Sequence, residues 1–239
     1  MDAASYIAAS GMKSAYRAIE IATNNLANVT SPGFKADRPF YRLLQDQVEQ
    51  LSGSRLAGTR TDHSPGSLKM TGNPLDLAID GEGFFAIRTG NGIRYTRDGN
   101  FTMTQAGELV TQEGNQVLDD RNQPIILTSQ TGVPNEIAVS REGDVLVDGN
   151  ITAKLGIYRF ADQAALLKEG SLNFSTDAAP QRVVNPEIEQ GVLEQSNVNA
   201  ISAMIDLLEM QRIFDINQRT VYMVMNNINR KAITEIAAQ

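Results

Sequence analysis

His63, the only histidine of the 239-residue chain, stands between Asp62 and Ser64, so acid, imidazole and hydroxyl meet there in sequence. Neighbours in sequence rarely face one another, and the trio lacks the geometry in which an imidazole takes a proton from a hydroxyl. His63 reads as a solvated loop histidine. Asp80-Gly81-Glu82-Gly83 contains a G-x-G step. A phosphate cradle needs further glycines and a helix start to present backbone N–H groups, and neither follows. This stretch reads as a hairpin turn. The acids from 76 to 82 lack the spacing of a calcium loop. No G-x-S-x-G elbow is present. The chain has no cysteine, which excludes thiolate zinc and iron–sulfur sites and Cys–His catalysis. No catalytic residue, metal ligand or cofactor is assigned from the residues.

Charge and hydropathy narrow the classes further. The net charge is -7, with no basic cluster along the chain. Nucleic-acid backbones require a basic surface, so a nucleic-acid partner is not expected. No run of about 18 apolar residues occurs, so no membrane span is expected. The start carries Asp2 rather than positive charges followed by an apolar run, so no cleaved signal peptide is expected. A hydrophobic content of 41% fits a folded chain with a sizeable core.

Two ends of one kind enclose a middle of another. Ala8, Met12, Ala15, Ile19, Ala22, Leu26 and Val29 alternate spacings of four and three, the pattern of a helical seam. Pro32 and Gly33 stop it. Ala200, Ala203, Leu207, Met210, Phe214, Asn217, Val221, Val224 and Ile228 repeat the spacing at the other end, with Asn197 as the expected N-cap. Asn217 is the polar exception, and a polar seam residue lowers stability but can fix register. From spacing alone, ordinary amphipathic helices packed on a globular core explain the two seams equally well.

Turn dipeptides crowd the middle: Asp80-Gly81, Asn91-Gly92, Asp98-Gly99, Gly143-Asp144 and Asp148-Gly149 separate short alternating stretches. The reading is a β-rich domain from about Gly66 to Phe174, with one short helix between Asp162 and Gly170. Ser175 to Gly191, with Pro180 and Pro186, reads as extended chain, and 36–65 as a connector of mixed polarity. The fold class is therefore mixed α and β. The domains are 1–35 (N-terminal helix and turn), 36–65 (connector), 66–190 (β-rich domain with its linker) and 191–239 (C-terminal helix). A scaffold protein that dimerises through its helices, or an enzyme with two convergent acids, also fits these elements.

The segment Asn25-Leu26-Ala27-Asn28-Val29-Thr30-Ser31-Pro32-Gly33-Phe34-Lys35 resembles the N-terminal motif of the flagellar axial proteins, the rod, hook and hook-associated subunits. Thr71 to Phe85, Tyr95-Thr96-Arg97-Asp98-Gly99-Asn100-Phe101 and Gly191 to Val198 are similar to further segments of that family. The likeness spans nearly the whole chain and favours the rod branch, the proximal type before the distal. It implies a structural subunit of the basal body and no enzyme. It implies terminal helices paired as a coiled-coil-like rod core, and export through the flagellar type III apparatus to the periplasm. The partners it implies are other axial subunits and that export apparatus. The expected assembly interface is Met12, Ile19, Asn25, Leu26, Asn28, Gly33, Phe34, Leu207, Met210, Phe214, Asn217, Val221, Val224 and Ile228.

Overall fold

The computed structural model describes residues 3–45, 52–128, 134 and 136–237. They divide into a helical unit (1–27, 37–62 and 199–239) and a β unit (28–36 and 63–198). The helical unit holds α1 (Ala3–Ala27), α2 (Ala200–Ala237) and an antiparallel pair, β1 (Asp37–Gln45) with β2 (Ser52–Thr61). The stretch expected to be a plain connector is thus largely a β-hairpin. Its alternation is hard to read because a bulge shifts the register between Phe40 and Tyr41. Ser14 of α1, buried in the helix, accepts the backbone N–H of Leu56 of β2 at 3.3 Å.

The two long helices pack side by side, as the paired seams predict. α2 begins two residues later than expected. The side chain of Asn199 caps it by accepting the N–H groups of Ile201 and Ser202, both at 3.0 Å. Asn197 points elsewhere. No helix among the described residues is long and apolar enough to cross a membrane.

The β unit is built from short antiparallel strands: β3 (Leu68–Met70), β4 (Leu77–Asp80), β5 (Phe84–Thr89), β6 (Gly92–Thr96), β7 (Phe101–Met103), β8 (Leu109–Thr111) and β9 (Gln116–Val117). Then come β10 (Ile137–Val139), β11 (Asp144–Val147), β12 (Asn150–Lys154) and β13 (Ile157–Arg159). Last are β14 (Leu167–Glu169), β15 (Asn173–Ser175), β16 (Gln181–Arg182), β17 (Glu187–Gln190) and β18 (Val192–Glu194). The main sheet runs β14-β15-β6-β5-β9-β8-β7, with β13 also on β5. β10-β11-β12 form a second sheet, and the late strands return to early ones as β17–β4 and β18–β3.

β5 is the central element, buried on both faces. Phe85 and Ile87 enter a core with Leu77, Ile79, Phe101, Val117 and Ile157. Phe84 and Ala86 enter an aromatic core with Tyr95, Tyr158, Phe160 and Phe174. Strand side chains alternate faces, so one strand of four consecutive apolar residues serves two cores. Asn91-Gly92 and Asp148-Gly149 sit at hairpins as expected.

Three local expectations change. Residues 81–83 bend the chain between β4 and β5, which are not paired with each other, so no hairpin forms there. The expected helix after Asp162 is one 3-10 turn, Gln163–Ala165, and gives way to β14, which pairs antiparallel with β15. His63 is half-buried rather than solvated. Its ring lies 5.8 Å from that of Phe84 and 5.2 Å from that of Phe174, on the edge of the aromatic core.

Candidate assembly surfaces and the turn after the first helix

On α1 the buried stripe consists of small residues, Ala8, Ala15, Ala18 and Ala22, flanked by half-buried Met12, Ile19 and Leu26. Small side chains let the neighbouring helix approach closely. Gly11 lies on this stripe, and a Cβ there would come within 3.0 Å of the Asn217 side-chain oxygen. On α2 the half-buried and buried positions from 201 to 226 are Ala203, Leu207, Met210, Phe214, Asn217, Thr220, Val221 and Val224, and the rest are exposed. This is the seam read from the sequence, and within the chain it faces α1. Ile228 lies in α2, but its side chain is outside the described residues. The rings of Tyr16 and Phe214 stand 6.5 Å apart across the pair. Asn217 donates its amide to the Ile213 carbonyl at 3.0 Å, one turn back in its own helix.

The seam is not the only apolar stripe of α2. Ile201, Met204, Ile205 and Leu208 follow the i, i+3, i+4, i+7 spacing of one helix face and are all more than half exposed. Ile216, Tyr222 and Met223 continue that face, with Arg212, Asp215 and Arg219 between them. At 100° per residue it lies opposite the seam. This second stripe is absent from the expected interface, although its spacing is legible in the sequence.

Of the remaining expected residues, Asn25 stays in the helical unit. Its amide donates to the Asp37 carbonyl at 2.8 Å and accepts the Asp37 N–H at 2.9 Å, mimicking a strand partner for the start of β1. Asn28 closes the turn after α1: its backbone carbonyl accepts from Ser31 N–H at 3.2 Å and its side-chain oxygen from the Ser31 hydroxyl at 3.3 Å.

Gly33 and Phe34 are buried in the β unit together with Lys35. Gly33 has φ of 67° and presses on the Arg97–Asp98 backbone, where a Cβ would lie 2.3 Å from the Asp98 nitrogen. Only glycine satisfies both demands. Phe34 is fully buried, and the Lys168 ammonium sits 3.9 Å from its ring centroid while donating to the Lys35 carbonyl at 2.7 Å. A desolvated cation over an aromatic face is favourable.

Lys35 makes a 2.6 Å ion pair with Glu194, and both side chains are at most 2% exposed. The Lys35 ammonium also donates to the Ser64 carbonyl at 2.7 Å. The same Glu194 oxygen accepts the Gly66 N–H at 2.9 Å, and its other oxygen lies 3.4 Å from Arg97. Arg97 donates to the carbonyls of Ile79 and Gly81 at 3.1 and 2.6 Å. Burial lowers the Arg97 pKa, and the charges of Glu194 and Glu82 oppose that shift. Next to it, burial pushes the Asp98 carboxyl up to about 6, with the charges of Glu113 and Asp76 adding to the shift and the Asn100 N–H opposing it. Charges this deep persist only where each is paired and hydrogen-bonded. In the sequence Lys35, Arg97 and Glu194 lie in three separate motif segments. Partners separated by up to 159 positions leave no local signal.

The described residues present joinery: a helix pair with an outer apolar face, and a turn sealed by buried charges. Among the described residues no group of His, Asp and Glu could hold a metal ion. Comparison with known proteins agrees with a structural part. Residues 6–35 match the family model described as "Flagella basal body rod protein", and 189–229 match "Flagellar basal body rod FlgEFG protein C-terminal". Residues 78–147 match "Flagellar hook protein FlgE/F/G D1 domain".

Among full-length relatives, the chain is 33% identical to the flagellar basal-body rod protein FlgF of Caulobacter vibrioides, over 99% of this chain and 98% of that one. It is 36% identical to FlgF of Rhizobium meliloti over 88% of each chain. It is 31% identical to the rod protein FlgG of Bacillus subtilis over 90% of this chain and 92% of that one. The chain belongs to the flagellar basal-body rod protein family. Its role is that of a structural rod subunit of the basal body.

Proposed function

We propose that this subunit is of the proximal-rod type and that it joins neighbouring axial subunits through its paired terminal helices. The two FlgF relatives above, at 33% and 36% identity, and the short segment between Gly33 and Thr71 support the proximal type. The route to the rod is the flagellar type III export apparatus, and the destination is the periplasmic part of the basal body. The observation that carries the assembly reading is the outer face of α2, where Ile201, Met204, Ile205 and Leu208 remain exposed after the seam has met α1. Isolated apolar residues on a surface are ordinary, but a contiguous helical stripe marks a contact surface.

Met12, Ile19, Leu26, Leu207, Met210, Phe214, Asn217, Val221 and Val224 contribute by holding the pair together and by their half-exposed edges; Ile228 extends the same seam by its spacing. Asn25, Asn28, Gly33 and Phe34 contribute by fixing where α1 ends. Burying apolar area at about 25 cal/mol per Å² drives association against the cost of ordering the subunits. Repetition of one heterologous contact generates a helical tube. The distal type keeps support from the likeness to FlgG of Bacillus subtilis. A density map of isolated basal bodies carrying a tagged copy separates the two. The proximal reading expects the tag at the inner-membrane end of the rod, and a tag confined to the outer end overturns it.

A further inference from the structure

The β1–β2 hairpin carries an arrangement that works against its own pairing. Arg38 of β1 stands directly opposite Arg60 of β2. Two positions along β1, Phe40 stands opposite Gly58, and two further on Arg42 is paired with Arg55. Alternate residues of a strand share a face, so positions 38, 40 and 42 fall on one face of β1, with an arginine pair on either side of Phe40. This face is open: Arg38 is 75% exposed, Phe40 is 50% exposed, and Arg60 is exposed. Gly58 gives the Phe40 ring room to lie across the neighbouring strand, since a Cβ there would come within 2.9 Å of Phe40 Cε1. Like charges directly opposite each other destabilise a strand pair. Arg38 is offset by a 2.7 Å ion pair with Asp62, which still leaves two arginine pairs in one short hairpin. Charged residues protect the edges of small sheets, but pairs of mixed sign do so without the repulsion.

The β unit carries the opposite arrangement. Glu187 of β17 is paired with Asp80 of β4, both residues are exposed, and exposed Glu82 follows in the chain. The β unit holds 18 acidic and 11 basic residues and the helical unit 10 of each, so the whole net charge of -7 belongs to the β unit. We propose that the Arg38–Phe40–Arg60 face of one copy docks on the Asp80–Glu187 edge of a second copy in the rod. This rests on the reading of the chain as a subunit joined to its neighbours, and adds a contact surface apart from the helices. Each like-charged pair then meets its opposite, so the repulsion stored in either strand pair is relieved by docking. Guanidinium groups suit this partner because their planar forks give carboxylates two parallel hydrogen bonds. Phe40 with arginines beside it has the aromatic and arginine composition enriched at protein interfaces. Charge complementarity of this kind selects the partner and its orientation, while the ring supplies apolar contact.

The test is photo-crosslinking from position 40 in isolated basal bodies. Phe40 is replaced by a light-activated phenylalanine derivative in a strain that makes two differently tagged copies of the full-length chain, and the yield is measured per copy incorporated. The expected product carries both tags, and mass spectrometry places the link on a peptide containing Asp80 or Glu187. Arg60→Glu and Glu187→Arg are each expected to lower the yield at least fivefold. Each also replaces a like-charged strand pair by an attractive one, so the loss does not come from a weakened fold. The double variant, Arg60→Glu with Glu187→Arg, restores opposite charges across the contact and is expected to return the yield to within twofold of the parent. Links only within one copy, or to another axial subunit, a lipid or a glycan, overturn the proposal. So does a double variant that stays as low as the single ones. A tagged-copy density map reads where the chain sits, whereas this link reads what Phe40 touches, so either reading can fail alone.

Discussion

In the β unit Phe84, Phe85, Phe101 and Phe174 are at most 2% exposed, whereas in the helical unit Ile201, Leu208 and Tyr222 are each more than 60% exposed. The β unit places its large apolar residues inside two cores served by one central strand. The helical unit puts alanines inside and leaves larger side chains outside. A domain selected only to be stable alone would not make the second choice, since burying one Leu or Ile side chain is worth about 1.5–3 kcal/mol. The contrast separates a part whose large apolar residues are buried within one chain from a part that leaves such residues exposed, on the face proposed to meet neighbouring subunits.

The strongest way to break that comparison is to charge the outer helix face. Ile205→Asp with Leu208→Asp is expected to abolish rod completion and motility in a complemented null strain, because a carboxylate there must be desolvated on assembly without a partner. The purified protein should keep a wild-type melting transition for its β unit. Normal motility would remove the outer face from the assembly surface. The opposite substitution acts on the other region. Phe85→Ala empties a fully buried site and should lower stability by about 3–5 kcal/mol in urea unfolding. A loss under 1 kcal/mol would mean the core collapses easily and the contrast is overstated.

A smaller effect lies at Asp98. Its carboxyl is pushed up to about 6 in the fold, above its ordinary value. The folded chain therefore binds this proton more tightly than the unfolded chain does. Its contribution to stability rises as pH falls from about 6 towards about 4 and is flat above pH 7. Asp98→Asn keeps an oxygen for the Asn100 N–H, which Asp98 accepts at 3.0 Å. It should flatten that slope and raise stability at neutral pH by about 2–3 kcal/mol. Chemical denaturation at pH 4.5, 6 and 7.5 checks it, and an unchanged slope places the titration elsewhere. The smallest effect is at the helix crossing. Gly11→Val brings atoms against Asn217 and should cost the helix pair about 1–2 kcal/mol, seen as faster exchange in α1 and α2 alone.

The sequence carried the large divisions because they rest on local chemistry. Seam spacing marked both helices, and Asn91-Gly92 and Asp148-Gly149 marked hairpins. Partners distant in sequence explain the misses. Asn197 and Asn199 are equally good caps by type, and Asn197 is diverted because Ala36 N–H lies within 2.8 Å of its side chain. Residues 81–83 carry hairpin letters, yet β4 pairs with β17, more than 100 positions away. The Gly-Phe-Lys turn was legible as a motif, but its purpose was not. Lys35 needs Glu194 and Ser64 to make sense, and Gly33 needs the Arg97–Asp98 backbone.

The central claim is that the two faces of α2 have different partners: the seam meets α1 of the same chain and the outer face meets another subunit. Photo-crosslinking in assembled basal bodies tests it most directly, with a light-activated residue introduced at Leu207 in one strain and at Leu208 in another. Leu207 is half-buried on the seam and Leu208 is 66% exposed beside it. The account expects Leu208 to yield cross-links to neighbouring axial subunits and Leu207 to yield cross-links within its own chain. Intersubunit products from Leu207 with none from Leu208 would contradict it.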